Sequence, residues 1–356
     1  MTASSPGSPP ASSPSAPAAR AENVPLAAKV DFLRRAASYP HAVGRVEAIE
    51  THLSWVFLTD TEAYKLKKPV LSDFIDLRSM ERRRRNAEQE VRLNRRLAPW
   101  VYVGVVALTL GSDGGLQVGV AGQPVDWLVH MRRLPSECML DIAIRDGTVD
   151  RARLGKAAEL LARFYRDNTV PDVTPEGFRD HVRRAVATNH DLLMQWLDEP
   201  DRGRAAATHR AQVGLVDGDP ALFDRRVAAG RIVEGHGDLR PEHVCLVREP
   251  VVIDCLEFDR AHRITDPVDE LTFLGMECAR LDAPELGPLV FDTYRDIARD
   301  DPPARLVAFY RCYRASLRAR LAAWHLQDPE VGDTKKWTDR VQLYLGIAEE
   351  AAADLS

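Results

Sequence analysis

No CxxC pair and no regular spacing links the five cysteines (Cys138, Cys245, Cys255, Cys278, Cys312). This argues against a disulfide framework or a zinc knuckle and fits a reducing compartment. No run approaches the roughly 18 apolar residues of a membrane span. The opening "MTASSPGSPPASSPSAPAARAENVP" lacks the apolar segment of a secretory signal, so a soluble, cytoplasmic protein with no membrane partner is expected. Charge of one sign is lacking too: 48 Lys and Arg face 53 Asp and Glu, a net charge of -5. Such a balance offers no chain-wide field to nucleic acid. A GxGxxG loop, a GxxxxGK[ST] loop and internal repeats are also missing.

What is present is a globular chain of 356 residues, long enough for two cores. Residues 1–22 are Ser, Pro and Ala with almost nothing to bury and are expected as a disordered tail. From Val46 the texture changes. "SWVFLTDTEAYKLKKPV" reads as two strands around a polar turn near Thr59 to Glu62. "SMERRRRNAEQEVRLNRRLAP" reads as a helix ending near Pro99, with Ala87, Glu90, Leu93 and Leu97 on one stripe. Its arginine run is read as an exposed face compensated by neighbouring Glu rather than as a nucleic-acid patch. "VYVGVVALTL" and "VDWLVHMRRLP" read as strands flanking a Gly-rich turn at "GSDGG" and close a small lobe near Pro135. The remainder is mostly helical, giving residues 23–134 and 135–356 as two lobes.

One stretch breaks the helical pattern. "HVCLV" and "VVID" flank "REP", and a two-residue turn at Arg248 and Glu249 predicts a hairpin pairing Val244 with Ile253 and His243 with Asp254. Opposed residues in such a pair lie about 5 Å apart, close enough to share one cation. Upstream, Asp238 sits in "HGDLRP", where Gly237 permits a sharp approach and Pro241 stiffens the exit. Glu90, on the apolar stripe of its helix, needs a cationic partner, which the strand "AYKLKKP" offers in Lys65 or Lys67 on one strand face. Glu88 falls off the stripe and is expected in solvent.

Together, "HGDLRPEHV", "VVIDCLEF" and "DPVDELTFL", with "AYKLKKPV" and "EQEVRLNRRLAP" upstream, resemble the aminoglycoside phosphotransferase-like branch of the protein-kinase-like fold. The resemblance covers most of residues 46–350. It implies an α+β fold with a small mixed N-lobe, built on an antiparallel sheet and positioning the nucleotide, and a mainly helical C-lobe. It implies an ATP-dependent or GTP-dependent phosphotransferase acting on a hydroxyl of a small molecule. In the family pattern Asp238 matches the catalytic base and Asp254 the metal-binding carboxylate, for Mg²⁺ or Mn²⁺. Lys65, or Lys67, matches the phosphate lysine paired with Glu90, and "VHMRRLP", with Met131 and Arg132, the stretch whose backbone meets adenine. The family has Asn where this chain has His243, which is expected at the metal. That departure, with the missing glycine loop, sustains a second reading: a non-catalytic nucleotide-binding protein on the same fold. A hydrolase using His236, Asp238 and His243 has too few ligands at unhelpful spacing. Asp266 before Pro267 reads as a helix N-cap and Asp269 as its capping-box partner. Glu257 could approach the metal or face a helix.

Overall fold

The computed structural model describes residues 24–72, 75–327 and 332–355, so the Ser/Pro/Ala tail expected over 1–22 lies outside the described residues. The chain divides into two compact units, one of residues up to 95 with 99–134, the other of 96–98 with 135–356. No helix among the described residues is long and apolar enough to cross a membrane.

The first unit is a six-stranded antiparallel sheet with helices against it. Its strands are β1 (Glu47–Glu50), β2 (Ser54–Leu58), β3 (Glu62–Lys67), β4 (Tyr102–Leu110), β5 (Leu116–Val118) and β6 (Gln123–Arg132), in the order β1-β2-β3-β6-β4-β5. Thr59 closes the β2–β3 turn: its amide donates to the Glu62 carbonyl, and its hydroxyl accepts from the Glu62 amide. Strand alternation then separates two sets of side chains. Tyr64 and Leu66 join the core with Val30 and Leu33 of helix α1 (Leu26–Leu33), while Lys65 and Lys67 meet Glu90 of helix α2 (Met80–Asn94). Ser79 caps α2 by accepting from the Arg82 amide, and the helix ends at Asn94 rather than near Pro99. Leu97 lies past its end, in a core of the second unit. The arginine run divides. Arg84 and Arg85 pair with Glu88 and Glu81 in solvent, as expected, but Arg83 is buried and grips Asp126 with two hydrogen bonds of 2.9 Å. Asp126 also takes Lys29 of α1, so one carboxylate fastens both helices to β6.

The second unit is mostly helical. Its long helices are α4 (Arg151–Asp167), α5 (Pro175–Trp196), α8 (Pro267–Arg280), α10 (Ala304–His325) and α11 (Thr334–Ala353). Between them stand α3 (Leu140–Arg145), α6 (Asp201–Gly218), α7 (Pro220–Ala228) and α9 (Leu286–Ala298). One core gathers Phe178, Phe223, Phe309 and Tyr344. A second gathers Leu161, Phe164, Leu239, Val244, Val252 and Leu274, and so anchors both flanks of the loop that carries Asp238.

The hairpin forms in a different register. After β7 (Val233–Glu234), strands β8 (Val244–Cys245) and β9 (Val251–Val252) pair Val244 with Val252 and Cys245 with Val251, one residue off the expected match of Val244 with Ile253. The tighter turn would place Pro250 within the ladder, where it has no N–H to donate. The strand starts at Val251 instead, and His243 no longer opposes Asp254.

Candidate functional site

In the first unit the charged centre is Glu90, fully buried on α2. Its two oxygens face two lysines: Lys65 Nζ lies 2.9 Å from Oε1, and Lys67 Nζ contacts Oε2. Both lysines project from one face of β3, so the strand period delivers them to the same carboxylate. The lysines differ in access: the side chain of Lys65 is 14% exposed and that of Lys67 is 1% exposed. Met131 and Arg132 end β6, pairing with Ala63 and Glu62. The Arg132 amide donates to the Val101 carbonyl and the Arg133 amide to the Thr61 carbonyl, so these two N–H groups serve the sheet.

In the second unit the loop from Gly235 to His243 is held from below by Glu270 of α8. This fully buried carboxylate accepts from the amides of His236 (3.1 Å) and Gly237 (2.5 Å). A Cβ on Gly235 would lie 2.7 Å from that carboxylate, and one on Gly237, where φ is +92, only 2.9 Å from the Leu256 side chain. Both positions therefore need glycine. Burial pushes the Glu270 carboxyl up, against the two amides that favour its charged form. Arg314 of α10 adds a second hold, donating to the Gly237 carbonyl at 3.2 Å while making two bonds of 2.6 Å to Asp269.

His236 is a structural member of this loop. Its Nε2–H donates to the Ile253 carbonyl at 2.8 Å, and Nδ1 accepts from the Asp238 amide at 3.3 Å, tying the loop to the end of β9. Burial first, and then His243 beside it, hold the imidazole down at about 4. With both nitrogens engaged, His236 presents no lone pair to a metal, which removes the hydrolase reading.

Asp238 keeps 32% of its side chain exposed. Arg240 covers it with a fork: Nε donates to both oxygens at 3.1 Å and one terminal nitrogen to Oδ2 at 3.0 Å. Burial raises the Asp238 carboxyl, but the Arg240 guanidinium above all outweighs it and holds it at about 2.

His243 stands beside this pair. Its Nδ1 faces the Asp238 carbonyl at 2.7 Å and must carry the hydrogen, because a carbonyl only accepts. Its Nε2 lies 3.3 Å from a terminal nitrogen of Arg240, which only donates, so Nε2 offers its lone pair to the guanidinium. Asp254 reaches the same place by a local device. With φ at +61 it leaves the strand conformation, and its Oδ2 lies 3.7 Å from His243 Nε2 despite the shifted register. The two residues are thus brought together, but not as a symmetric pair of ligands. The Asp254 side chain is 47% exposed and is a hard oxygen donor of the kind Mg²⁺ prefers. His243 does not fit that expectation while Arg240 occupies its lone pair. Among the described residues no group of three or more His, Cys, Asp or Glu is arranged to hold a metal ion.

Asp266 caps α8 as expected, accepting from the Val268 amide, and also pairs with buried Arg226, which in turn grips Asp300. Asp269 does not close a capping box; its oxygens go to Arg314 and to the Thr265 hydroxyl. Arg240, Glu270 and Arg314 carry weaker signals in the sequence. Arg240 stands in the loop, two residues after Asp238, and Glu270 four after the Asp266 cap. Arg314 lies 76 residues from Asp238 in a helix of several arginines, and nothing in that helix marks it.

The chain has the protein-kinase-like fold, shared with aminoglycoside phosphotransferases and choline kinases. It is similar to a thermostable mutant of aminoglycoside phosphotransferase APH(4)-Ia in a ternary complex with AMP-PNP and hygromycin B. The TM-score is 0.54 and the identity 11%, over 91% of this chain and 97% of that one. Choline kinase from Cryptosporidium parvum gives 0.51 and 11% over 90% and 95%. In sequence, the chain is 34% identical over 279 residues to an uncharacterised protein of Mycobacterium tuberculosis H37Rv, covering 78% of this chain and 54% of the relative. An uncharacterised Mycobacterium bovis protein gives the same values. The chain thus spans about half the length of the curated relatives it matches. No protein-family model matches it.

Proposed function

We propose that this chain is an ATP- or GTP-dependent phosphotransferase acting on a hydroxyl of a small molecule. The observation that carries this reading is a loop on a kinase-like fold in which Asp238 is rigidly held and partly exposed, with Asp254 turned toward the same His243. Phosphoryl transfer asks a protein mainly for positioning and charge stabilisation. Asp238 orients the acceptor hydroxyl and receives its proton. Lys65, the more accessible partner of Glu90, engages nucleotide phosphate, and Lys67 keeps Glu90 in place. Asp254 would hold Mg²⁺ or Mn²⁺, which, when bound, neutralises phosphate charge. Met131 and Arg132, at the end of β6, would meet the base.

A second reading, a nucleotide-binding protein without turnover, is favoured by one observation: Arg240 occupies both the Asp238 carboxylate and the His243 lone pair. Purified protein should be assayed with ATP or GTP, Mg²⁺ or Mn²⁺, and a panel of hydroxyl acceptors. The phosphotransferase reading expects metal-dependent turnover that Asp238→Ala and Asp254→Ala each reduce by about 10²-fold or more. Turnover surviving both substitutions would sink it, and nucleotide binding without turnover on any acceptor would favour the second reading.

A further inference from the structure

Four carboxylates of the second unit, Asp238, Glu242, Asp269 and Glu277, each face a guanidinium. Arg240 holds Asp238 and Arg314 holds Asp269, while Glu277 meets Arg280 at 2.6 Å and Arg318 at 3.2 Å. Glu242 stands 3.6 Å from Arg280. A cationic acceptor would have to displace an arginine to reach any of these four. Two arginines of α10 offer the opposite chemistry. Arg318 meets Glu277 and the Tyr344 hydroxyl (3.4 Å) through Nε, with its guanidinium over the Tyr344 ring, and its two terminal nitrogens donate to nothing among the described residues. Against burial, which raises the Asp238 carboxyl, Arg318 joins Arg240 and His243 in lowering it, so its charge is felt at the base. Arg320 is partly buried and has no ion pair or hydrogen bond among the described residues. Burial pushes its guanidinium down, with only Tyr313 acting the other way. A guanidinium taken from water is ordinarily paired, and one without a carboxylate calls for an anion from outside.

The helix period relates the two arginines to the loop. Arg318 lies about one turn, and Arg320 less than about two turns, beyond Arg314, which holds the Gly237 carbonyl at 3.2 Å. Leu317 and Leu321 occupy the arc of α10 between the two arginines, and Leu321 is exposed, so that arc is open to solvent. We propose that the acceptor is an anionic alcohol, bearing a carboxylate or a phosphate besides the hydroxyl it presents to Asp238, and that Arg318 and Arg320 receive its oxyanion. This rests on the phosphotransferase reading and names its substrate class. Terminal guanidinium nitrogens match the oxygens of either anion. In the transfer the acceptor O–H bond breaks, its proton passes to Asp238, and its oxygen bonds to the terminal phosphorus of the nucleotide. The bond from that phosphorus to its bridging oxygen breaks, and the electron pair leaves with the nucleoside diphosphate. Arg318 and Arg320 exchange no proton; they fix the acceptor by its charged end.

The test is a matched panel of hydroxy acids, sugar phosphates, uncharged polyols and amino alcohols, each assayed with ATP and Mg²⁺. For one of the two anionic classes kcat/KM should exceed that of the uncharged and cationic classes about tenfold or more, and the class that leads tells carboxylate from phosphate. Arg318→Gln should raise KM for that acceptor about tenfold with KM for ATP within about twofold, and Arg318→Lys should recover part of the loss. Arg320→Gln has no ion pair to lose, so it should lower the anionic preference while keeping or raising the thermal midpoint. Purely structural arginines would instead lower turnover of every class alike. Preferred phosphorylation of polyols or amino alcohols, or equal losses on all classes in both variants, would overturn the proposal and leave the phosphotransferase reading standing. If no acceptor turns over, that reading falls, and calorimetric titration with malate and with glycerol 3-phosphate decides the anion site: binding that both variants weaken about tenfold upholds it, and no binding by the wild type overturns it.

Discussion

At the scale of single residues, the loop around Asp238 depends on what is absent from Gly235 and Gly237. Gly237 sits at a positive φ against Leu256, and Gly235 against the Glu270 carboxylate. Gly237→Ala should destabilise the protein by about 1–3 kcal/mol through backbone strain and contact, read as a lower denaturant midpoint. His236 gives a pH signature. Its folded value, about 4, lies below the ordinary imidazole value of about 6.5. The unfolded chain therefore binds more protons between these values, and stability should be full above about 6.5 and fall as pH drops toward 4. Urea unfolding of the wild type and of His236→Asn at pH 7 and pH 5 should show a steeper loss in the wild type. Gly237 and Asp238 could be read from the sequence because loop chemistry is local. Arg240's grip could not, because nothing in "HGDLRPEH" fixes which way a long flexible side chain folds.

At the scale of elements, the β3–α2 pair turns a strand period and a helix period into one charged cluster. Glu90 was legible because it interrupts an apolar stripe. That both Lys65 and Lys67 reach it was not, since that depends on how far α2 lies from the strand. The two lysines should separate in experiment. Lys67→Met removes a buried cation from Glu90 and should cost stability, about 1–3 kcal/mol. Lys65→Met should leave stability within about 1 kcal/mol while weakening nucleotide binding. Equal behaviour of the two in thermal melts and nucleotide titrations would reject this division. Glu90→Ala, which removes the buried carboxylate that Lys65 and Lys67 share, should cost about 3–5 kcal/mol. The hairpin shows the converse: two strands and a turn were readable, yet Pro250 shifted the register, and only the turn at Asp254 brought its carboxylate back to His243.

At the scale of the whole molecule, the second unit is fastened by charges distant in sequence. Arg226 joins Asp266 at the start of α8 to Asp300 beyond α9, and Tyr294 donates to the same Asp300. Arg226→Ala would take the cation from buried Asp266 and leave Asp300 with Tyr294 and the more distant Arg231, and should cost about 3–5 kcal/mol in equilibrium unfolding. Nucleotide should act in the opposite sense. At about 100 times its Kd, ATP with Mg²⁺ should add about 2.7 kcal/mol to the stability of the wild type. A thermal-shift series with ATP, GTP and each metal would show which pair does so.

The sequence by itself determined the elements whose signals are local: strand alternation in "SWVFL" and "EAYKLK", the stripe holding Glu90, the Asp266 cap, the two loop glycines, and the order of motifs that resembles a kinase-like fold. Only the tertiary structure decided which charges meet. It gave Arg83 to Asp126, Arg314 to Asp269, both lysines to Glu90, and Arg240 to Asp238 and His243. The physical reason is range. Backbone preference and periodicity act over a few residues, whereas a long charged side chain selects its partner from whatever the packed chain brings within about 4 Å.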